Sequence, residues 1–463
     1  MSQDLYELSA TELSASYAAG LDPREVAESV LARIADREPV LNAFYVHEPE
    51  QVRRDAEASA KRWASGTQLS AFDGVPATVK ENIPRSGIPV PSGTALANPP
   101  VSAENAPVTD RLLEAGLVLL GSTTMPDWGM LSSGVSSRHG ITRNALDPSL
   151  TTGGSSAGAG AAAAAGYGPL HVGTDIGGSI RLPGTWAGLV TLKPSAGLVP
   201  LHAPYMGRAA GPLTRTAADA AALMSVIARP DIRDYSTRPY PSMDWFKGPA
   251  NPAGLRVGLQ LDAGSGAEVD PQIAAAVQRA ADLFAAAGAH IVELRPFMSQ
   301  AQLAGIDAFW RTRSWADYSA LEPEQRENVL PYIARWCAGG KDYDGVATMV
   351  HYNRFAQVQQ ETIAATRDYD LVLSPVAPMA AFPAEQPMPV DDPDLPMAHI
   401  SFTMPYNMSG QPAATVNCGF MLDGRTIGLQ LAGPVGADDK VLAAAVWFES
   451  VRGDAALDWA RVL

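Results

Sequence analysis

The chemistry this chain offers is concentrated in two Gly-Gly-Ser steps. Ser155 ends the first, inside Thr151-Thr-Gly-Gly-Ser-Ser-Ala-Gly158, and Ser179 ends the second, inside Gly173-Thr-Asp-Ile-Gly-Gly-Ser-Ile-Arg-Leu-Pro183. Glycine pairs let the backbone bend sharply and approach a ligand closely. A serine directly after such a pair is presented on a tight turn, and amides freed from regular pairing can aim at a carbonyl oxygen. One such step is ordinary loop chemistry; two, the second flanked by Asp175 and Arg181, are not. A serine hydroxyl attacks poorly until a base takes its proton. Lysine is one such base, but only when neutral, which requires burial away from carboxylates to bring its pKa down from about 10.4. Lysines are few here (Lys61, Lys80, Lys193, Lys247, Lys341 and Lys440), and Lys80 closes a short apolar strand that begins at Val75. Glu81 follows it, but on a strand points to the opposite face. The plain alternative is a strand-end lysine in solvent.

Two other nucleophile patterns fail. Gly154-Ser-Ser-Ala-Gly158 matches G-x-S-x-G, which would put Ser156 on the strand-to-helix elbow of an α/β-hydrolase with a late histidine such as His399. That elbow needs a strand immediately before it, and residues 144–152 do not read as one. No lysine has a serine three residues before it, so the β-lactamase Ser–Lys spacing is absent.

The elements that must position these residues alternate between helix and strand. Helical patterns cover residues 9–38, 51–63 and 110–115, with Asp22-Pro23-Arg24-Glu25 as an N-cap, first-turn proline and capping-box glutamate. Strands are expected at 75–79, 117–122, 169–173, 189–193, 255–260, 290–294, 370–374, 414–420 and 427–431. Residues 155–166 form a small-residue helix able to pack tightly beneath a sheet, 202–211 a loop, 270–288 and 438–450 helices. Residues 230–252 read as a Pro- and Asp-rich connector and 300–368 as mainly helical. One large α/β sheet is expected rather than several domains. Residues 1–463 are then one unit, with 230–252 and 300–368 as insertions or cover around the site.

The formal net charge of −15 argues against nucleic acid and anionic membrane as partners. Two cysteines, Cys337 and Cys418, give neither a disulfide framework nor a metal motif. No basic-then-apolar leader opens the chain, and the uncharged run from 149 to 174 is Ala, Gly, Ser and Thr rather than membrane-spanning residues. The expectation is a cytoplasmic protein, monomer or homodimer, with no metal and no cofactor.

Taken together, Pro76-Ala-Thr-Val-Lys80-Glu-Asn82, both Gly-Gly-Ser segments, Gly188-Leu-Val-Thr-Leu-Lys-Pro194, Phe402-Thr-Met-Pro-Tyr-Asn-Met-Ser-Gly-Gln-Pro412 and Gly428-Leu-Gln-Leu-Ala-Gly433 resemble the amidase signature family over most of the chain. The resemblance implies an α/β fold with a large mixed twisted sheet covered by helices on both faces, and it implies Ser179 as nucleophile, Lys80 as base and Ser155 as the serine between them, usually preceded by a cis peptide bond. It implies an oxyanion hole from the amides of Ile176, Gly177, Gly178 and Ser179. Asp175 and Arg181 become a buried pair holding the loop, instead of two surface charges. Ser156 becomes a supporting hydrogen-bonding residue, a role compatible with an N-cap. Lys193 is expected to be structural. Thr152 and Ala157 depart from the family's more usual Pro and Gly.

The family's substrates range over aryl, fatty-acid and peptide amides, carbamates, and the glutamine used by one component of a tRNA amidotransferase. Candidate pocket residues are Met125, Trp128, Met130 and Leu131, then Tyr205 and Arg208, then Phe402. The first four would equally serve as ordinary core. Arg208 is a gate, a carboxylate clamp or an exposed loop residue. The apolar and aromatic character suggests an uncharged small-molecule amide such as an anilide, and the pattern also looks like the carbamate-cleaving urethanases of the family. A glutamine-hydrolysing subunit of a tRNA amidotransferase, working with partner proteins, is the alternative, and a non-catalytic scaffold the third reading.

Overall fold

A computed structural model describes residues 4–462. The strands are β1 (Phe44–His47), β2 (Pro76–Lys80), β3 (Val118–Thr123), β4 (Val135–Ser136), β5 (Gly140–Ile141), β6 (Leu170–Asp175), β7 (Val190–Lys193), β8 (Ala209–Thr214), β9 (Arg256–Leu259), β10 (His290–Glu293), β11 (Leu371–Pro375), β12 (Ala413–Phe420) and β13 (Thr426–Ala432). Eleven of them form one sheet in the order β1-β3-β2-β6-β8-β7-β12-β13-β11-β9-β10; β4 and β5 pair separately. Pairing is mixed. β2 runs parallel to β3 and β6, and β9 parallel to β10 and β11, whereas β1 meets β3 antiparallel and every neighbour along β6-β8-β7-β12-β13-β11 is antiparallel. The expected mixed α/β sheet is therefore present.

β2, β3, β6, β7 and β11 are buried at every residue. Both of their faces are therefore covered, polar residues such as Lys80, His171, Asp175 and Lys193 included. Two strands of the large sheet, and the short β4–β5 pair, escaped the sequence reading. β1 is short and lies at an edge. β8, Ala-Ala-Gly-Pro-Leu-Thr, overlaps the expected 202–211 loop. Its composition is poor in β-formers and Pro212 lies opposite Val172, whereas proline is normally kept out of central strands. The ladder with β7 covers only Leu213 and Thr214, short of the proline.

The helix Ala157–Ala165 is buried throughout and packs on β2, β3, β6 and β8. Alanine favours the helix, and the glycines within it permit backbone contact. A Cβ on Gly158 would stand 2.2 Å from the Ala43 carbonyl oxygen. The Pro23–Leu41 helix begins with the expected cap, Asp22 accepting from the Arg24 amide at 2.9 Å. Residues 300–368 fold into the helices Gln300–Ser319, Pro323–Arg326, Pro331–Ala338 and Gly345–Thr366. With Met388, Met397 and Ile400 they build a second apolar cluster beside the sheet, which includes Leu182 and Trp310. No helix among the described residues is long and apolar enough to cross a membrane.

Candidate active site

β2 and β6 are parallel neighbours, Val79 paired with Val172, so their carboxyl ends open on the same side of the sheet. That is where α/β sheets gather ligands. β2 ends in Lys80 and β6 in Thr174 and Asp175. Lys80 is fully buried, not in solvent. Its Nζ lies 2.8 Å from Ser155 Oγ, 3.2 Å from Ser156 Oγ and 3.1 Å from Thr174 Oγ1. Burial holds its amine well below the ordinary lysine range, and the charge of Arg208 pushes the same way, while Asp175 and Glu81 oppose it. Glu81 is turned away, as its strand position requires: it accepts from the Gly93 amide at 2.7 Å and contacts His139 Nε2 at 2.7 Å.

The hydroxyls around Lys80 have fixed roles. Ser156 Oγ donates to the Thr174 carbonyl at 3.1 Å and accepts the Thr174 amide at 3.2 Å, so toward Lys80 it is an acceptor. Thr174 Oγ1 donates to Asn82 Oδ1 at 3.3 Å and likewise accepts from Lys80. A neutral amine that directs its two N–H bonds at Ser156 and Thr174 turns its lone pair toward Ser155. Ser156 occupies the N-cap position of the Ala157–Ala165 helix, but its hydroxyl makes these cross-chain bonds instead of capping the helix. No strand precedes it, and His399 bonds elsewhere, so the elbow reading has no structural counterpart.

The second Gly-Gly-Ser segment meets the first here. Ser156 N–H donates to the Ser179 carbonyl at 3.1 Å, and the Gly154–Ser155 peptide is cis, as the resemblance implied. Asp175 organises the loop from beneath. Its carboxylate accepts the amides of Gly178 at 2.8 Å, Ile180 at 3.1 Å and Arg181 at 3.4 Å. It also forms a two-pronged pair with Arg181 (Nε 3.0 Å, Nη2 2.9 Å) and accepts from Asn407 at 2.8 Å. Both side chains are wholly buried, so the surface-charge alternative is excluded. Burial by itself would raise the Asp175 pKa, but Arg181 and the hydrogen bonds more than offset it and the carboxyl stays ionised. The Arg181 guanidinium is further fixed by the Thr403 carbonyl and Gln430 Oε1, both at 2.8 Å.

This arrangement corrects one expected oxyanion donor. Gly178 N–H is already committed to Asp175, and Gly178 is buried while Ile176, Gly177 and Ser179 reach the cleft. Gly178 serves the turn instead: its φ is +131°, and a Cβ there would press on Thr403 Oγ1 at 2.8 Å. The amides of Ile176, Gly177 and Ser179 remain as candidates.

The cleft above Ser179 encloses about 560 Å³, open solvent at its mouth included. Trp128, Met130 and Leu131 line it as expected. Met125 and Phe402 do not: they are 2% and 1% exposed, packed in the interior, and are corrected to core. Tyr205 and Arg208 line an adjoining cavity, with Arg208 Nη2 donating to the Asn82 carbonyl at 3.1 Å. Sequence reasoning missed Leu182, Trp310, Arg313, Met388, Met397, Ile400 and the Ser132–His399 pair, joined at 2.6 Å. Burial holds His399 neutral, its pKa lowered to about 3. Most of these come from segments without a local motif; Leu182, beside Arg181, could have been suspected from position, as could Thr174 and Asn82 beside Asp175 and Lys80.

Comparison with known proteins agrees over nearly the whole chain. A family model described as amidase matches residues 25–442. An acylamidase of Rhodococcus erythropolis is 34% identical over 462 residues, covering 97% of this chain and 96% of the relative. A glutamyl-tRNA(Gln) amidotransferase component of Symbiobacterium thermophilum is 32% identical, covering 96% of each. The crystal structure of a bacterial aryl acylamidase of the amidase signature enzymes superposes with a TM-score of 0.87 at 26% identity, covering 98% of this chain and 97% of that one.

Proposed function

The chain belongs to the amidase family and is a hydrolase of carbon–nitrogen bonds, and on that premise we propose that it is a stand-alone serine amidohydrolase acting on aryl and alkyl amides, anilides and carbamates. The observation that carries this reading is the buried, depressed amine of Lys80 among three hydroxyls, 2.8 Å from Ser155 and at the foot of the Ser179 loop.

In the proposed reaction neutral Lys80 accepts the Ser155 proton while Ser155 takes the proton of Ser179, and Ser179 Oγ attacks the carbonyl carbon. The amides of Ile176, Gly177 and Ser179 hold the developing oxyanion; loss of one such donor typically costs about 100- to 1,000-fold in rate. Collapse breaks the C–N bond, and the proton returns through Ser155 to the departing amine. Water then attacks the acyl-enzyme, its proton following the same path. With a carbamate the intermediate is a carbonate ester, whose hydrolysis yields alcohol and carbon dioxide. The apolar cleft of Trp128, Met130, Leu131 and Trp310 suits an aryl or alkyl group.

A panel of p-nitroanilides, primary amides and aryl carbamates offered to the purified protein tests this, with Ser179→Ala as control. Turnover absent for every class, or retained in Ser179→Ala, would reject it. The similarity to an amidotransferase component gives the second reading, glutamine hydrolysis within a complex. Selective turnover of glutamine by the purified chain would favour it.

A further inference from the structure

Arg313 and Arg208 are both neighbours of Tyr205, where the Ser179 cleft adjoins the second cavity. Arg313 lines the cleft itself. Its guanidinium lies over the Tyr205 ring, 5.0 Å from the centroid, and its Nη2 reaches Met130 Sδ at 3.5 Å. Tyr205 and Arg208 share one turn, the Arg208 amide donating to the Tyr205 carbonyl at 2.9 Å. Among the described residues neither guanidinium pairs with a carboxylate. Arg208 spends two donors on the carbonyls of Asn82 and Ala203. Arg313 Nε and Tyr205 Oη are buried with no hydrogen-bond partner.

Arg62, Arg111, Arg181 and Arg311 each hold an acid. Arg215, also without one, is surrounded by the main-chain carbonyls of Tyr6, Glu7, Leu8 and Ala163. Two like charges close enough to act on one another repel; burial and Arg313 together bring Arg208 down to about 10. An anion between them would remove the repulsion and supply acceptors for the orphaned Arg313 Nε and Tyr205 Oη. The planar guanidinium fork fits a carboxylate.

We propose that Arg313, Arg208 and Tyr205 form an anion subsite, and that this amidohydrolase takes amides bearing a carboxylate on the acyl or the amine side. The inference rests on Ser179 being the attacking residue of an amide hydrolase, and it departs from the uncharged substrate that the apolar residues alone suggested.

Calorimetric titration of Ser179→Ala separates binding from turnover. The ligands are matched anilides: N-butyryl-4-aminobenzoate against butyranilide, and glutaranilic acid against pentananilide. At least one acid is expected to bind about tenfold or more tightly than its uncharged twin, the range for a charge-assisted pair. That preference should collapse in Ser179→Ala/Arg313→Gln and persist in part in Ser179→Ala/Arg313→Lys. Thermal melting checks that the variants fold, and Ser179→Ala/Arg208→Gln provides an independent arm. Equal binding of acid and twin on both sides, or a preference untouched by Arg313→Gln and Arg208→Gln, overturns the subsite. Wild-type turnover of the same anilides reports separately: acid-selective binding without turnover of either acid would reject these carboxylate-bearing anilides as substrates and leave the anion site standing, whereas the role of Ser179 is decided by the substrate panel and its Ser179→Ala control.

Discussion

Lys80 Nζ stands 2.8 Å from Ser155 Oγ at the buried carboxyl end of β2, and its other partners, Ser156 and Thr174, are hydroxyls as well. No carboxylate neutralises the amine, so burial acts on it without a direct counter-ion. Replacing Lys80 by Met keeps the volume and removes the base. The expected loss in kcat/KM on a responsive anilide is about 100- to 10,000-fold, with folding retained by circular dichroism. A loss below tenfold would show that proton transfer runs elsewhere.

The same burial sets a pH dependence. In the proposed reaction neutral Lys80 is the active form, so kcat/KM should rise with pH through its folded pKa, which lies well below 10.5. Arg208 lowers that pKa, so Arg208→Gln should move the acid limb of the profile to higher pH. The stability sign is fixed as well. Between the folded pKa and 10.5 the unfolded chain binds the extra proton, so this lysine makes stability increase with pH across that interval. Melting curves of wild type and Lys80→Met measured across the window should diverge with that sign. Parallel curves would mean the amine titrates normally.

Asp175 carries the Ser179 loop and neutralises Arg181 in a site without solvent. Asp175→Ala strands a buried guanidinium, and the expected cost is about 3–5 kcal/mol in urea denaturation. It also frees the Gly178 and Ile180 amides, so activity should fall before the protein unfolds. A change under about 1 kcal/mol would show that the pair is replaceable by water.

Small residues make the close packing of the site helix possible. Gly158→Ala would drive a methyl to 2.2 Å from the Ala43 carbonyl and 2.5 Å from the Thr124 amide, both backbone. The expected result is a strongly lowered melting temperature or insoluble protein. Gly345 has no heavy atom within 4 Å of the same position. There alanine should stabilise by about 0.4–1 kcal/mol, through the lower entropy of the unfolded chain. Equal effects at the two sites would contradict the packing.

Much of this protein was legible in one dimension because its chemistry is local. The Gly-Gly-Ser steps, the lysine closing an apolar strand and the Asp/Arg flanks are set by turn geometry and burial, which short segments encode. The helix–strand alternation likewise announced one large α/β sheet, and the family resemblance that it is mixed. β8 was hidden because proline, glycine and alanine form a strand only when neighbouring strands supply the pairing. Gly178 could not be excluded as an oxyanion donor until Asp175 was seen to occupy its amide. The cleft needed tertiary structure most. Trp310, Arg313, Met388, Met397 and His399 lie far apart in the chain and face one reaction centre only because the 300–368 helices and the loop after β11 fold over the sheet. Such contacts depend on where side chains end up in space, and no spacing along the sequence reports that.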